Sequence, residues 1–350
     1  MKFKGILIEK LYEFDNHRLI SFLHDAKTGL QGFVAIHRGD LHHPSFGATR
    51  LWRYPNEMEA LKDALRLSRG MSYKLAMAGL SYGGAKGVIM MHPGATKKRN
   101  ELLKSYAERV NYFGGHFITG TDVGLNQDDL SVMRRASPYM VGIKSDATRF
   151  TGVGIFYGIK TCMKEIYGDD DLSKRSFAIQ GVGKVGSALL KLLYFHAQKI
   201  FVADIDRRKI AEIKRMFPRV EVVKPSEIHY QKVDVFSPCA LSRSVNARSI
   251  RELQCRIVAG GANNQLDSSE TGENLHKRNI LYAPDYVINA GGLITVVDEY
   301  EHKNVNVRRV MRRVLSIKRN LKNIFKISKK CGRAPHLVAD EIAERSTNRD

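Results

Sequence analysis

Two lysines and an aspartate carry the first chemical signal in this 350-residue chain. Lys74 and Lys86 stand twelve residues apart within GMSYKLAMAGLSYGGAKGVI (Gly70 to Ile89), and Asp122 follows in GGHFITGTDVG (114–124). Glycine lets a small molecule come close and permits backbone conformations closed to other residues. The run Gly83-Gly84-Ala85-Lys86-Gly87 therefore reads as a turn that could aim Lys86 into a cleft. Beside another cation or a dry wall such a lysine loses its proton more readily and can act as a base at neutral pH. A solvated lysine on a glycine loop is the plainer reading. Asp122 is open in the same way: it can hold a turn by bonding its own backbone, or it can present a carboxylate to a cleft.

A second chemical signal lies further on. Ser176 to Gln180 reads as a short apolar strand running directly into Gly181-Val182-Gly183-Lys184-Val185-Gly186. A helix follows through Leu189, Leu190, Leu192 and Leu193, then a strand, KIFVAD, ending at Asp204. In this dinucleotide-binding pattern the first glycine makes the turn, the second lets the backbone meet a pyrophosphate, and the third packs helix on strand. The helix start offers unpaired N–H groups and a positive dipole end to the phosphates. Asp204, 23 positions after Gly181, stands where an acid takes the adenosine ribose 2′-hydroxyl. It would repel a 2′-phosphate, so NAD is expected over NADP, with Arg207 and Arg208 as the counter-argument.

These groups need elements to hold them. Residues 32–38 (GFVAIHR) read as a strand, Asn56 to Arg69 as an amphipathic helix on Met58, Leu61, Ala64, Leu65 and Leu67, and Glu101 to Phe113 as another helix. A polar stretch at about 142–152 reads as a linker, and Phe156 to Tyr167 as a helix. Strands are then expected at 233–238, 256–261 and 280–288. Strand alternating with helix predicts an α/β protein of two domains. An N-terminal α/β domain is expected over residues 1–145 and a doubly wound Rossmann-type NAD domain over 146–330. The last helix, about 331–350, is expected to return to the first domain. Asn264 and Asn289 sit where strand ends would open towards a nicotinamide, although loop asparagines are as often structural.

Hydrophobic residues at 43% and charged residues at 27% describe an ordinary soluble protein. No run of about 18 apolar residues spans a membrane, and the first residues lack a signal-peptide pattern, so a cytoplasmic location is expected. Cys162, Cys239, Cys255 and Cys331 are scattered and read as reduced, buried thiols. His42 and His43, two neighbours with no third ligand, read as surface, and no metal is expected. The net charge of +21 is densest in RRVMRRVLSIKRNLKNIFKISKK (308–330). There Val310, Val314, Ile317, Leu321, Ile324 and Ile327 recur at helical spacing, so a wet basic face on a buried apolar stripe accounts for it. No specific nucleic-acid partner is expected from it, since no zinc-finger or RNA-binding motif accompanies the charge.

In their order and spacing HDAKTGLQGFVAIH, PSFGATR, ALRLSRGMSYK, GGAKGVI, ITGTDVG, TGVGIFYGIK, GVGKVG, DVFSPCAL, GGANNQL and APDYVINAGG match one family. Over about positions 12–345 the chain resembles the Glu/Leu/Phe/Val amino-acid dehydrogenases, most closely branched-chain and aromatic members such as leucine dehydrogenase. The resemblance implies that Lys74 binds the substrate carboxylate, that Lys86 activates the water attacking the imino carbon, and that Asp122 exchanges protons with the amino nitrogen. It implies cofactor contacts at Thr151, Ala240 and Asn264, and a substrate contact at Asn289. Phe46, Gly47, Leu293 and Val296 fall where the family lines its side-chain pocket.

Two departures bear on the substrate. Glutamate members carry a lysine at the Phe46 position to bind the side-chain carboxylate, and Phe46 cannot do that. Ala85 and Ala48 replace glycines usual in leucine-type members, and GATR resembles a tryptophan dehydrogenase variant. The expected activity is NAD-dependent oxidative deamination of an apolar, branched-chain L-amino acid to its 2-oxo acid and ammonia. It is expected to be reversible, to be carried out by a homo-oligomer, and to use an active site in the cleft between the domains. The alternatives are a phenylalanine or tryptophan dehydrogenase, and a non-catalytic protein that binds NAD or nucleic acid.

Overall fold

The protein, a computed structural model that describes residues 8–39, 42–91, 98–144, 146–240 and 242–347, divides into two units. One comprises Met1–Ser145 with Arg345–Asp350, the other Asp146–Glu344. Ser145 and Leu241, which fall in segments read above, lie outside the described residues, as do residues 1–7. The first unit runs β1 (Leu19–Asp25), β2 (Leu30–Ile36), β3 (Ser45–Trp52), α1 (Glu57–Met77), β4 (Gly83–Met90), α2 (Arg99–Val110), β5 (Phe117–Thr121) and α3 (Gln127–Ala136). Its sheet has the order β1-β2-β4-β3-β5. β2 is antiparallel to β1 and β4, whereas β3 runs parallel to β4 and β5.

Asn56 caps α1 by accepting from the Glu59 N–H. The buried residues Ala60, Leu61, Ala64 and Leu65 recur along one helix face. They pack on Phe33, Ala35, Val88 and Met90 on one side of the sheet. α2 and α3 cover the other side, with Leu102, Leu103, Tyr106, Leu130 and Met133 against Val34, Leu51, Ala85, Ile89 and Phe117. At ~1.5–3 kcal/mol for each large side chain buried, these two layers fix β4 between them.

The expected turn at 83–87 is corrected: this segment is β4, buried along its whole length. Its glycines serve close packing rather than turning. A β-carbon on Gly84 would overlap the Ser72 backbone nitrogen in α1, and one on Gly87 would overlap the Tyr106 hydroxyl from α2. The helix expected to end at Arg69 continues through Gly70 to Met77 and carries Lys74 with it.

The second unit runs α4 (Ala147–Tyr167), β6 (Ser176–Gln180), α5 (Lys184–Leu193), β7 (Lys199–Ala203), α6 (Arg207–Met216), β8 (Glu221–Val222), β9 (Val235–Pro238), α7 (Ser249–Glu252), β10 (Ile257–Val258), α8 (Ser269–Lys277), β11 (Leu281–Tyr282), α9 (Asp285–Ile288), α10 (Gly291–His302), α11 (Val307–Val314), α12 (Ser316–Cys331) and α13 (Pro335–Thr347). Its sheet, β11-β10-β9-β6-β7-β8, is parallel throughout. That is the doubly wound arrangement expected of this half of the chain.

Four expectations need correction here. The linker at 142–152 is in large part helix: Asp146 caps α4 by accepting from the Arg149 N–H. Glycines seat α4 on its neighbours; a β-carbon on Gly158 would lie 2.8 Å from Ile288 Cγ2, and one on Gly152 2.8 Å from Ala188 Cβ. The strand at 280–288 is cut short because Pro284 starts α9. The last helix stays with the second unit through Glu344. There His336 Nε2 pairs with the Ser269 hydroxyl at 3.1 Å, and the Tyr286 hydroxyl donates to Asp340 at 2.8 Å. Of the thiols, Cys162 and Cys255 are buried, Cys239 is half-buried and Cys331 is exposed at the end of α12. No described helix is long and apolar enough to cross a membrane.

Candidate active site

Lys86 sits within β4 and is 4% exposed. Its ammonium donates to Asp122 Oδ2 at 2.6 Å. Strand alternation puts it on the sheet face of Val88 and Met90, the face that α1 covers. Asp122 directly follows β5, and its N–H donates to the Thr49 carbonyl at 2.9 Å, extending the β3–β5 pairing. On the opposite face the Thr49 hydroxyl meets the Tyr106 and Thr119 hydroxyls, each at 2.8 Å. The lysine–aspartate pair thus rests on strands that are locked from below.

The same carboxylate oxygen receives a second cation, one that sequence reasoning did not single out. Arg50, on β3, donates through Nε to Asp122 Oδ2 at 3.0 Å and through Nη1 to Asp63 Oδ2 at 2.9 Å. Asp63, on α1, also accepts from the Tyr54 hydroxyl at 2.7 Å and from Arg66 at 2.5 Å. The available signal was an arginine in strand GATRLW, between Thr49 and Leu51, which face the core. Its partner lies 72 positions on, beyond any local pattern.

Burial lowers the Lys86 pKa below the usual lysine range. Asp122 pulls it up and the Arg50 guanidinium pulls it down again, so the carboxylate does not restore it. Of the two causes expected, a dry wall and a neighbouring cation, burial is the larger and Arg50 supplies the cation. Burial alone would raise Asp122, but Lys86 and then Arg50 outweigh it and hold the carboxyl well below the usual range. The pair therefore stands as an ionised carboxylate against a lysine primed to lose its proton.

Lys74 is half-buried on α1, two positions after Ser72, whose hydroxyl accepts from the Gly84 N–H at 3.0 Å. The helix of one lysine is thereby fastened to the strand of the other. Phe46, on β3, is fully buried, with its ring 4.7 Å from that of Tyr82 and edge-on to it. A β-carbon on Gly47 would overlap the Ala85 carbonyl, so this glycine answers to strand packing. Leu293 and Val296 belong to the second unit, half-buried and three positions apart on α10.

In the second unit the glycine pattern falls between β6 and α5 as expected. Gly181 has φ +90°, and a β-carbon there would lie 2.8 Å from Ala240. One on Gly186 would overlap the Gly181 carbonyl. Gly183 differs: a β-carbon there meets no protein atom within 4 Å, and its φ of −67° suits any residue. Nothing in the fold demands a glycine at 183, whereas a pyrophosphate lying on the backbone would. Lys184 and Val185 open α5. Asp204 follows β7, and its carboxylate accepts from the Val182 N–H at 2.8 Å and the Asp206 N–H at 2.9 Å. The acid is thus tied to the glycine loop with acceptor capacity to spare.

Thr151 lies on α4, its hydroxyl donating to the Ala147 carbonyl at 2.8 Å, and a β-carbon on Gly292 would lie 2.6 Å from that hydroxyl. Asn264 holds a left-handed conformation, φ +50°, and its carbonyl accepts from the Arg243 N–H at 2.7 Å. Asn289 is 2% exposed, and its amide donates to Asn263 Oδ1 at 2.9 Å. Its own Oδ1 has no donor among the described residues, so an acceptor is held ready there. Among those residues no three His, Cys, Asp or Glu side chains group as a metal site requires.

Residues 18–139 match the Glu/Leu/Phe/Val dehydrogenase dimerisation domain, and residues 195–333 match Glutamate/Leucine/Phenylalanine/Valine dehydrogenase. The chain is 35% identical to leucine dehydrogenase of Bacillus subtilis (strain 168), over 98% of this chain and 94% of that one. It is 40% identical to the L-tryptophan dehydrogenase of Nostoc punctiforme (strain ATCC 29133 / PCC 73102), over 97% and 95%. The crystal structure of L-tryptophan dehydrogenase from Nostoc punctiforme superposes with a TM-score of 0.81 at 39% identity, covering 95% of this chain and 96% of that one.

Proposed function

The chain belongs to the Glu/Leu/Phe/Val dehydrogenase family, and from that premise we propose that it carries out NAD-dependent oxidative deamination of apolar, branched-chain L-amino acids, reversibly. It is an oxidoreductase acting on the CH–NH2 group and using a nicotinamide dinucleotide. The observation that carries the reading is the buried Lys86–Asp122 pair at 2.6 Å. A protein that only sensed NAD or an amino acid would have no use for a water-activating lysine. Phe46 supports an apolar side chain, since a glutamate carboxylate buried against it would go unpaired. NAD over NADP rests on Asp204 beside the Val182 N–H. An aromatic substrate is the second reading, favoured by the identity to the tryptophan enzyme.

The assignment gives each residue one task. Lys74 holds the substrate carboxylate, and Asp122 takes a proton from the ammonium group. NAD, when bound, supplies the acceptor for the hydride leaving Cα. Lys86 in its neutral form then takes a proton from the water that adds to the imine carbon, and ammonia leaves. Gly181 to Gly186 with Asp204 hold the pyrophosphate and the ribose, and Thr151, Ala240 and Asn264 contact the cofactor. Asn289 serves the substrate, and Phe46, Gly47, Leu293 and Val296 shape the side-chain pocket. Residues 1–145 form the substrate domain through which a homo-oligomer assembles, residues 146–330 bind NAD, and the enzyme works in the cytoplasm.

Turnover of leucine by Lys86→Ala tests the core of this reading. Activity falls by at least about a hundredfold, the scale of lost general acid–base catalysis, while NAD affinity by calorimetry stays put. Comparable kcat in the variant removes Lys86 from the mechanism.

A further inference from the structure

The net charge of +21 is not spread evenly. Residues 302–339 contain no Asp or Glu and twelve Lys or Arg, so this stretch alone supplies +12. On α11 and α12 the apolar residues face the unit: Val310, Val314, Ile317, Leu321, Ile324 and Phe325 are buried. At about 100° per residue, Arg319, Lys322, Lys326 and Lys330 fall within roughly 80° of arc on the opposite side. All four are exposed. Leu315, in right-handed helical conformation, joins the two helices, and Arg308 and Arg312 continue the exposed row along α11.

Four other cations in the stretch are neutralised within the unit. Arg309 pairs with Asp298, Arg313 with Glu301, Lys329 with Glu165 and Arg333 with Glu341. Arg308, Arg312, Arg319, Lys322, Lys326 and Lys330 have no carboxylate partner among the described residues. A fold that pairs its inner cations and leaves an outer row unopposed presents a field for an extended anion.

We propose that the outer face of α11 and α12 binds nucleic acid through its phosphate backbone, without regard to base sequence. From Arg319 to Lys330 the row measures about 16 Å at 1.5 Å per residue. One strand of a duplex places about five phosphates over that length. An anionic membrane fits less well. Binding in a bilayer interface needs an apolar helix face to insert, and the apolar face of α12 is built into the core, with Ile327 an isolated outer residue. This surface is separate from the residues assigned to catalysis, so it stands or falls independently of the substrate.

Fluorescence anisotropy of the full-length protein with a labelled duplex of arbitrary sequence, between 50 and 200 mM salt, tests this. With four phosphate contacts the affinity falls about a hundredfold over that range. The quadruple variant Arg319→Gln, Lys322→Gln, Lys326→Gln, Lys330→Gln flattens the salt dependence and weakens binding at 50 mM by at least tenfold, while amino-acid turnover is unchanged. A charge-matched control, Lys104→Gln, Arg135→Gln, Lys224→Gln, Lys277→Gln, retains at least half the affinity. Equal loss in the control overturns the proposal, because net charge alone then accounts for binding. So does absence of duplex binding at 50 mM salt, or binding confined to phosphatidylserine vesicles.

Discussion

Asp122 Oδ2 accepts from two cations, and that sharing sets the chemistry of the site. Lys86 reaches it at 2.6 Å and Arg50 at 3.0 Å. With its charge divided, the carboxylate cannot hold the Lys86 proton as firmly as an undivided partner would. Arg50 also opposes the lysine directly. Removing Arg50 takes away both effects, so the Lys86 pKa rises towards the ordinary lysine value. The base form then appears only at higher pH. For Arg50→Gln, the rising limb of kcat/KM against pH is expected to move to higher pH, whereas Arg50→Lys leaves it near its original place. A variant that loses activity at every pH without moving the limb shows that Arg50 only supports the fold. The pair formed by Lys86 and Asp122 was reached by resemblance to the family, and Arg50 was not. An arginine inside an apolar strand is visible as an anomaly, but its partners Asp63 and Asp122 are brought to it by α1 and β5, which no local pattern pairs.

At the scale of elements, glycine was the residue most often misjudged. The run at 83–87 looked like a turn and is the buried strand β4. The polar stretch at about 142–152, which holds Gly142 and Gly152, reads as a linker and from Ala147 on is α4. In both cases the glycines admit a neighbouring backbone or helix, and a single sequence does not distinguish that need from conformational freedom. The glycine loop falls between β6 and α5 as expected, because strand, spacing and helix all agreed with one another. Its members now separate by function. Gly183→Ala, whose β-carbon meets open space, is expected to change the unfolding free energy by no more than about 1 kcal/mol at this capping position. The same change raises the KM for NAD at least tenfold. Gly186→Ala forces a β-carbon onto the Gly181 carbonyl and is expected to lower the melting temperature itself. If Gly183→Ala binds NAD like the parent, the cofactor does not lie on that backbone. Asp204→Ala, losing an acceptor from the end of β7, is expected to narrow the preference for NAD over NADP. A parent enzyme that prefers NADP points instead to Arg207 or Arg208.

For the molecule as a whole, the two-unit architecture followed from the change of pattern near residue 145, because strand and helix alternate so regularly after it. The place of the last helix did not: α13 carries no signature of its destination and stays with the second unit through Glu344 by the packing of His336 and Tyr286. Substrate choice belongs to this scale too: the residues proposed for the side-chain pocket, Phe46, Leu293 and Val296, are all hydrocarbon. A buried carboxylate lacking partners costs several kcal/mol, each ~1.4 kcal/mol being tenfold in rate, while one methylene changes matters by only about 1–3 kcal/mol. Apolar amino acids should therefore overlap as substrates, with glutamate far outside the group. The most direct measurement is the initial rate of NADH formation by the purified protein with NAD and L-leucine, L-valine, L-isoleucine, L-phenylalanine, L-tryptophan or L-glutamate. The account predicts kcat/KM for leucine at least about a hundredfold above that for glutamate; NADH formation from none of them, or from glutamate as well as from leucine, contradicts it.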